Sequence, residues 1–295
     1  MRVVQLNVKR FYGKENSSTV FAIAAALAAL DPRPNFVCLN EVDVKLQPGG
    51  LEKIASSLGP KFTIAFFGHV RDRYGNAIIS NLPVLSTKTF QHHIRGGSTI
   101  KLEPGTKKFN GEIAKEGDVH RIARGMLVVE TSLPTSALQA GQNQENLGTS
   151  LRIACTHLDH ISSEQRKVQM EHICELLPPR PDCTDLLVGD FNALMREDYT
   201  DEHWENLRSL HASRGWGGPY SGDLAIVQEH GFVDCLESAK PLSPLHLTAH
   251  VGDPAYRLDY CFLRGRHMRP VGSFVDRTID FSDHYPVITD FDLVQ

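Results

Sequence analysis

The sequence predicts an α/β protein in which two β-sheets pack against each other and helices cover them. Three observations carry this. Ten short apolar runs recur with turn residues between them, only five stretches carry helical patterning, and no long linker divides the 295 residues, which are expected to form one domain. That is too strand-rich for a simple doubly wound sheet and suits two stacked sheets.

The first run, Val3-Val4-Gln5-Leu6-Asn7-Val8, opens a strand expected over residues 2–8. A helix over 17–30 follows from Asn16-Ser17-Ser18-Thr19, residues suited to an N-cap, and from an Ala/Leu run that Asp31-Pro32 stops. With Lys9, Arg10 and Lys14 before it, Val20–Leu30 superficially resembles a secretory signal core, and it is too short to span a bilayer. Because a strand already starts beside Met1, the expectation is a helix buried on a sheet, no signal peptide, no membrane span and a cytoplasmic or nuclear protein. Strands are expected at 35–41 and, after a helix at 50–58, at 62–67, 76–80 and 84–90. Those at 124–131 and 151–157 precede a helix at 163–177; the strand at 184–190 precedes helices at 202–214 and 223–230; strands at 257–263 and 286–293 close the chain. Residues 91–123 and 134–150 break the pattern and read as surface insertions, the second polar and poor in branched apolar residues.

Composition is that of an ordinary globular protein, and 31 basic against 35 acidic side chains excludes a strongly basic nucleic-acid coat protein. The six cysteines form no C-x-x-C pair, so they read as buried free thiols rather than a zinc or redox site. Fourteen histidines are a generous number.

Chemistry concentrates where apolar runs end. Asn7 closes Val3-Val4-Gln5-Leu6; Glu41 closes Phe36-Val37-Cys38-Leu39-Asn40; His157 and Asp159 follow Ile153-Ala154-Cys155-Thr156; Asp190 and Asn192 follow Leu186-Leu187-Val188-Gly189. Asp259 interrupts Leu258 and Tyr260-Cys261-Phe262-Leu263, and Asp283-His284 precede Tyr285-Pro286-Val287-Ile288. Any one of these is explained as a strand-end residue bonded to a loop. If the strand ends share one edge of the sandwich, they assemble a pocket of carboxylates, amides and imidazoles, costly unless a cation and a substrate use it.

In this order, Leu39-Asn40-Glu41-Val42, Thr156-His157-Leu158-Asp159, Gly189-Asp190-Phe191-Asn192, Arg257-Leu258-Asp259-Tyr260 and Ser282-Asp283-His284-Tyr285-Pro286-Val287 resemble the endonuclease/exonuclease/phosphatase superfamily. The resemblance runs from residue 3 to 293 and implies a four-layer α/β sandwich of two mainly antiparallel sheets with helices outside. It implies a phosphate-ester hydrolase using Mg²⁺, with Mn²⁺ as the alternative ion, and no obligate protein partner is evident. Glu41 is then the expected direct ligand, with Asp283 and Asn7 nearby. Asp190 matches the carboxylate that positions and deprotonates water, and Asn192 would share its side if strand geometry continued. His284 with Asp259 matches a His–Asp pair, and His157 a second phosphate-contacting histidine; whether aspartate or histidine takes the proton stays open. Tyr74, Asn76 and Arg124 either contact substrate phosphate or hold turns. Asp159, Arg196 and Thr248, with His250, either line the pocket or are ordinary polar residues.

Substrate is less determined. Leu187 and Tyr256 depart from inositol phosphatase patterns, and Asn40 and Phe191 from tyrosyl-DNA phosphodiesterase patterns, while Arg257-Leu258-Asp259-Tyr260 is closer to apurinic endonucleases. Arg257, Arg264, Arg266 and Arg269 face one acid over 257–269, which reads either as a phosphate-contacting edge or as a solvated face. The leading expectation is a phosphodiesterase or nuclease on DNA or RNA. A second is the same site acting on a small phosphorylated metabolite or lipid headgroup under a lid made by 91–123, and a third a phosphate-binding protein without turnover.

Overall fold

A computed structural model describes residues 1–13, 17–92, 98–105, 108, 112–133, 149–214, 218–236 and 246–294. Its strands are β1 (Arg2–Asn7), β2 (Phe36–Asp43), β3 (Thr63–Val70), β4 (Tyr74–Ser80), β5 (Val84–Gln91), β6 (Thr99–Lys101), β7 (Val119–Arg121), β8 (Gly125–Ser132), β9 (Ser150–His157), β10 (Cys183–Asp190), β11 (Val233–Asp234), β12 (Asp259–Arg264), β13 (Met268–Val275) and β14 (Val287–Leu293). The helices are α1 (Val20–Ala29), α2 (Gly50–Leu58), α3 (Ser163–Leu176), α4 (Asp201–Ser213) and α5 (Ala225–Glu229).

Two six-stranded sheets result, ordered β13-β14-β1-β2-β4-β3 and β11-β12-β10-β9-β8-β5. Each has one parallel pair at its centre, β1 with β2 and β9 with β10, and antiparallel neighbours elsewhere. A parallel pair needs a crossover, and α1 and α3 supply the two.

The central strands read as unbroken apolar runs because both faces are covered. Val3, Cys38, Ile153, Cys155, Leu186 and Val188 point into the core between the sheets. Their neighbours in sequence point the other way: Val4, Val37 and Leu39 meet Ile23, Leu27 and Ile54 of α1 and α2. Ala154 and Leu187 meet Met170 and Ile173 of α3. The layers are therefore helices, sheet, sheet, helices, as the sequence predicts.

All ten expected strands form, together with four that the sequence pattern does not announce, β6, β7, β11 and β13. β13 contains Pro270 and Gly272, where its register against β14 shifts, so its alternation is interrupted; proline is tolerated there because the strand is at a sheet edge. β6 and β7 pair as a small hairpin inside 91–123, so that insertion is partly ordered rather than loop throughout. β11 is two residues long. The insertion expected at 134–150 lies almost wholly outside the described residues. Helix α1 begins at Val20, with Thr19 at the cap position, yet no side-chain cap bond is made and its buried hydroxyl lacks a partner among the described residues. All six cysteines are buried free thiols. No helix among the described residues is long and apolar enough to cross a membrane.

Candidate active site

Parallel pairing sets the C-terminal ends of β1 and β2 side by side, and likewise those of β9 and β10. Antiparallel β12 begins at the same edge, with Asp259 opposite Asp190, and β8 begins with Gly125 opposite His157. Polar residues that close separate apolar runs in the sequence thereby converge on one edge of the sandwich, around a cleft of about 340 Å³.

Its centre is Asp190. The preceding Gly189 has φ +150, and a Cβ there would lie 1.9 Å from the Thr156 carbonyl oxygen, so only glycine lets β10 close against β9. The Asp190 N–H donates to Asn40 Oδ1 at 2.9 Å, Asn7 Nδ2 donates to Asp190 Oδ2 at 2.9 Å, and the Asn192 N–H donates to Asp190 Oδ1 at 3.0 Å. Burial and then the charge of Asp259 push the Asp190 carboxyl up to about 7. The strand geometry that would set Asn192 on the side of Asp190 does not continue beyond Asp190. Asn192 is left-handed, with φ +49; its amide donates to Leu158 O at 3.1 Å, and it still lines the cleft.

His284 Nδ1 lies 2.7 Å from Asp259 Oδ2. Burial alone would lower this imidazole, but the Asp259 carboxylate prevails and pushes it up to about 10, so it is an imidazolium. Its Nε2 is 4.0 Å from Asp190 Oδ2. His157 Nε2 is 3.5 Å from the same oxygen, but burial and then Arg124 hold that ring well below its ordinary range, and it is neutral. The other Asp259 oxygen accepts from Gln5 Nε2 at 2.8 Å, a bond that ties this carboxylate to the opposite sheet.

Glu41 sits at a β-bulge in β2, where register against β4 slips between Leu39 and Val42, and adopts φ +59. The bulge turns its carboxylate into the cleft. Asn7 Nδ2 also donates to Glu41 Oε1, at 3.2 Å, so one amide spans the Glu41 and Asp190 carboxylates. Asp283 lines the cleft beside them, 3.2 Å from Lys9 Nζ.

Asp190, Asp259 and His284 also bring three ligand atoms within 4.8 Å of one another. That trio is a poor cation site, because His284 and Asp259 already satisfy each other and Gln5 takes the remaining carboxylate oxygen. Glu41 and Asp283 are the hard oxygen donors that face the cleft and could hold a divalent cation, whereas Asn7 turns its N–H groups to Glu41 and Asp190 while its Oδ1 accepts the Lys9 N–H at 3.0 Å.

Of the further residues named from sequence, Tyr74, Arg124 and His250 line the cleft. Burial and then the charge of Glu41 push the Tyr74 phenol well up, so it stays a neutral donor. Arg124 is anchored by Nε to Leu158 O at 2.9 Å and by Nη2 to His160 Nδ1 at 3.0 Å. The other four lie outside the lining. Asn76 is buried, donating to Gly125 O and accepting from Asn40; Thr248 Oγ1 accepts the Leu258 and Asp259 N–H groups and so fixes the start of β12. Asp159 accepts from the N–H groups of Ile161 and Ser162 ahead of α3, and Arg196 lies over Trp204 and bonds Tyr199 O and Asp201.

The arginine-rich segment 257–269 is corrected more sharply. Arg257 is fully buried between Asp198 at 3.0 Å and Asp234 at 2.7 Å, and Arg264 is buried against Asp185 at 2.6 Å. These two form neither a phosphate edge nor a solvated face. The cation missed by the sequence reading is Arg10. The Lys9–Phe11 turn is left-handed throughout and sets Arg10 at the cleft, 3.0 Å from the buried Asp43, which Arg73 also holds at 2.8 Å. Asn40, in sequence one letter of the Leu39-Asn40-Glu41-Val42 motif, crosses between the sheets, donating to Thr156 O at 2.9 Å and accepting the Asp190 N–H.

The same arrangement of strands is found in solved structures. An endonuclease/exonuclease/phosphatase from Beutenbergia cavernae is 18% identical with a TM-score of 0.61, over 99% of this chain and 71% of that one. The human Nocturnin catalytic domain, solved with a bound sulfate anion, is 15% identical with a TM-score of 0.58, over 100% and 94%. D. rerio TDP2, solved with a single-strand DNA product, is 15% identical with a TM-score of 0.58, over 99% and 98%. At these identities the likeness is one of fold. No curated protein sequence matches the chain. Residues 4–284 do match the Endonuclease/Exonuclease/phosphatase family, and with that match covering nearly its whole length, the chain belongs to this family of phosphoester hydrolases.

Proposed function

We propose that the protein is a divalent-metal-dependent phosphodiesterase acting on nucleic acid by in-line attack of water. The observation that carries this is the buried Asp190 carboxylate lying 4.0 Å from the His284 Nε2, with His284 locked to Asp259 on its far side.

Glu41 and Asp283 would hold the cation, Mg²⁺ by their hard oxygen donors, with Mn²⁺ as the alternative, while Asn7 orients the Glu41 carboxylate through its amide N–H. The fit rests on the donor set: the Glu41, Asp190 and Asp283 carboxylates line one cleft, and the Asp190 carboxyl is pushed up by burial first and then by the charge of Asp259. Bound there, the ion would polarise the phosphoryl group and stabilise the leaving oxygen.

The protein groups then divide the work. Asp190 is anchored by the amide of Asn7 and the N–H of Asn192, so its carboxylate is oriented rather than mobile; it orients the attacking water and takes its proton. With Nδ1 committed to Asp259, His284 has one N–H left, at Nε2, and directs it toward a non-bridging phosphoryl oxygen as charge grows there. Neutral His157 donates to the same group. Arg10 and Arg124, both held by fixed partners, supply positive charge at the cleft wall.

Nucleic acid is preferred over other phosphoesters because the same fold carries a DNA product in D. rerio TDP2. A panel of single-stranded DNA, RNA, duplex DNA, small phosphomonoesters and lipid headgroup esters, each with Mg²⁺ and with chelator, tests the reading. Metal-dependent cleavage of a nucleic-acid phosphodiester is expected. Turnover confined to small metabolites or headgroups overturns the substrate; no metal-dependent turnover on any member overturns the activity.

A further inference from the structure

Resting on that nuclease reading, we propose that the excursion between β5 and β8 makes the cleft a receptor for one nucleoside phosphate at a strand end, its base received by Ile100, His120 and Ile122. β5 and β8 are antiparallel neighbours down to the pair Gln91 and Gly125, a junction that a short turn would close. The chain instead leaves the sheet and is stitched back to its own root. The His92 N–H donates to Arg124 O and the Ile122 N–H to Ser98 O, both at 2.9 Å, and β6 pairs with β7. This fixes Ile100, His120 and Ile122 in the lining of the catalytic cleft, together with Val70 from the end of β3.

The chemistry of that wall is unlike a path for a continuing backbone, which is tracked by cations and exposed aromatic platforms. Here the side chains are branched and apolar, and the one imidazole is held uncharged by burial and then by Arg124 and Arg71. Ile100, Ile122 and Val70 themselves offer a phosphate no counter-charge, whereas Arg124, beside His120, would meet the phosphate of a nucleotide whose base lies on them. The flat face of a heterocycle would instead find apolar contact and a neutral ring to stack on. Along 257–269, Arg257 and Arg264 are consumed in buried ion pairs, and the exposed Arg266 and Arg269 lie beyond the end of β12, remote from the cleft. The cleft volume of about 340 Å³ suits one small ligand, since such pockets run from roughly 300 to 1,000 Å³. A free nucleotide and the terminal residue of a single strand present the same chemistry, so both belong to the proposal.

The test compares kcat/KM, with Mg²⁺, on a linear single strand, the same strand ending in an abasic sugar phosphate, a closed single-stranded circle, and a free nucleotide ester. The base-ended strand or the free nucleotide should exceed its abasic counterpart by about tenfold, the order expected for stacking one base, and the circle should resist cleavage. Ile100→Ser and His120→Ala should each bring the base-to-abasic ratio toward one. Ile113→Ser, in the same excursion but exposed and outside the cleft lining, should keep it. Cleavage of the circle at the rate of the linear strand, or an unchanged ratio in both variants, overturns the inference while leaving the nuclease reading intact. Hydrolysis of non-nucleoside esters with no cleavage of any nucleic acid or nucleotide overturns both.

Discussion

Arg257 offers a sharp test of what the buried ion pairs do. Its guanidinium is fully buried and holds Asp198 at 3.0 Å and Asp234 at 2.7 Å, so Arg257→Met keeps much of the volume but strands two carboxylates. Stripping one partner from a buried pair costs about 3–5 kcal/mol. Two stranded acids do not double that figure, because burial already pushes the Asp234 carboxyl up against the pull of Arg257, and without the arginine it takes a proton and becomes neutral. We expect a loss of about 4 kcal/mol and a fall in Tm on the order of 10 °C, at roughly 2–4 °C per kcal/mol for a protein of this size. Thermal unfolding followed by circular dichroism measures the loss. Hydrolysis assayed well below the transition should leave KM within about threefold of the parent, since no lost contact is to substrate. Adding Asp198→Asn and Asp234→Asn to Arg257→Met should recover much of the Tm. An unchanged Tm with a KM raised about tenfold or more would refute the reasoning, because it would place the guanidinium on the substrate.

Three other outcomes follow from the same geometry. Gly189→Ala forces a Cβ to 1.9 Å from Thr156 O at φ +150 and should destabilise by about 3 kcal/mol or more, read as a lower urea midpoint; a parental midpoint would contradict the close approach. Asn40→Ala leaves the buried Asp190 N–H and the Asn76 Oδ1 without their partner, so stability should fall by about 1–3 kcal/mol for each orphaned group and kcat should fall with it, because Asp190 loses its anchor. All six cysteines are buried, so an aromatic disulfide reagent should titrate none in the native protein and all after denaturation; rapid native reaction would contradict their burial.

Much of this molecule is legible in its sequence for a simple reason. Strands covered on both faces are written as unbroken apolar runs, so polar residues at the ends of runs stand out: Asn7, Glu41, His157 and Asp190 where runs close, Asp259 and His284 where runs begin. What is not legible depends on contacts between distant segments. Gln5 lies mid-run in β1 and matters because it reaches Asp259 in the other sheet. Arg10 is positioned by a left-handed turn that no local pattern announces. The count of arginines over 257–269 misleads for the complementary reason: their partners Asp198, Asp234 and Asp185 are remote in sequence, so the local charge looks unopposed. β13 is hidden by Pro270 and Gly272, residues a central strand would exclude and an edge strand with a register shift accommodates.

The most direct measurement of the central claim is the rate at which wild type and Asp190→Asn cleave a short single-stranded oligonucleotide, in saturating Mg²⁺ and in chelator, with the Tm of each recorded. Replacing the anchored carboxylate by an amide keeps the shape and removes the proton acceptor. The expected result is a fall in kcat of about 10²–10³, equivalent to roughly 3–4 kcal/mol of transition-state stabilisation, at a Tm close to that of wild type, and background cleavage by wild type in chelator. A folded Asp190→Asn that cleaves at the parental rate, or a wild type indifferent to chelator, would contradict the account.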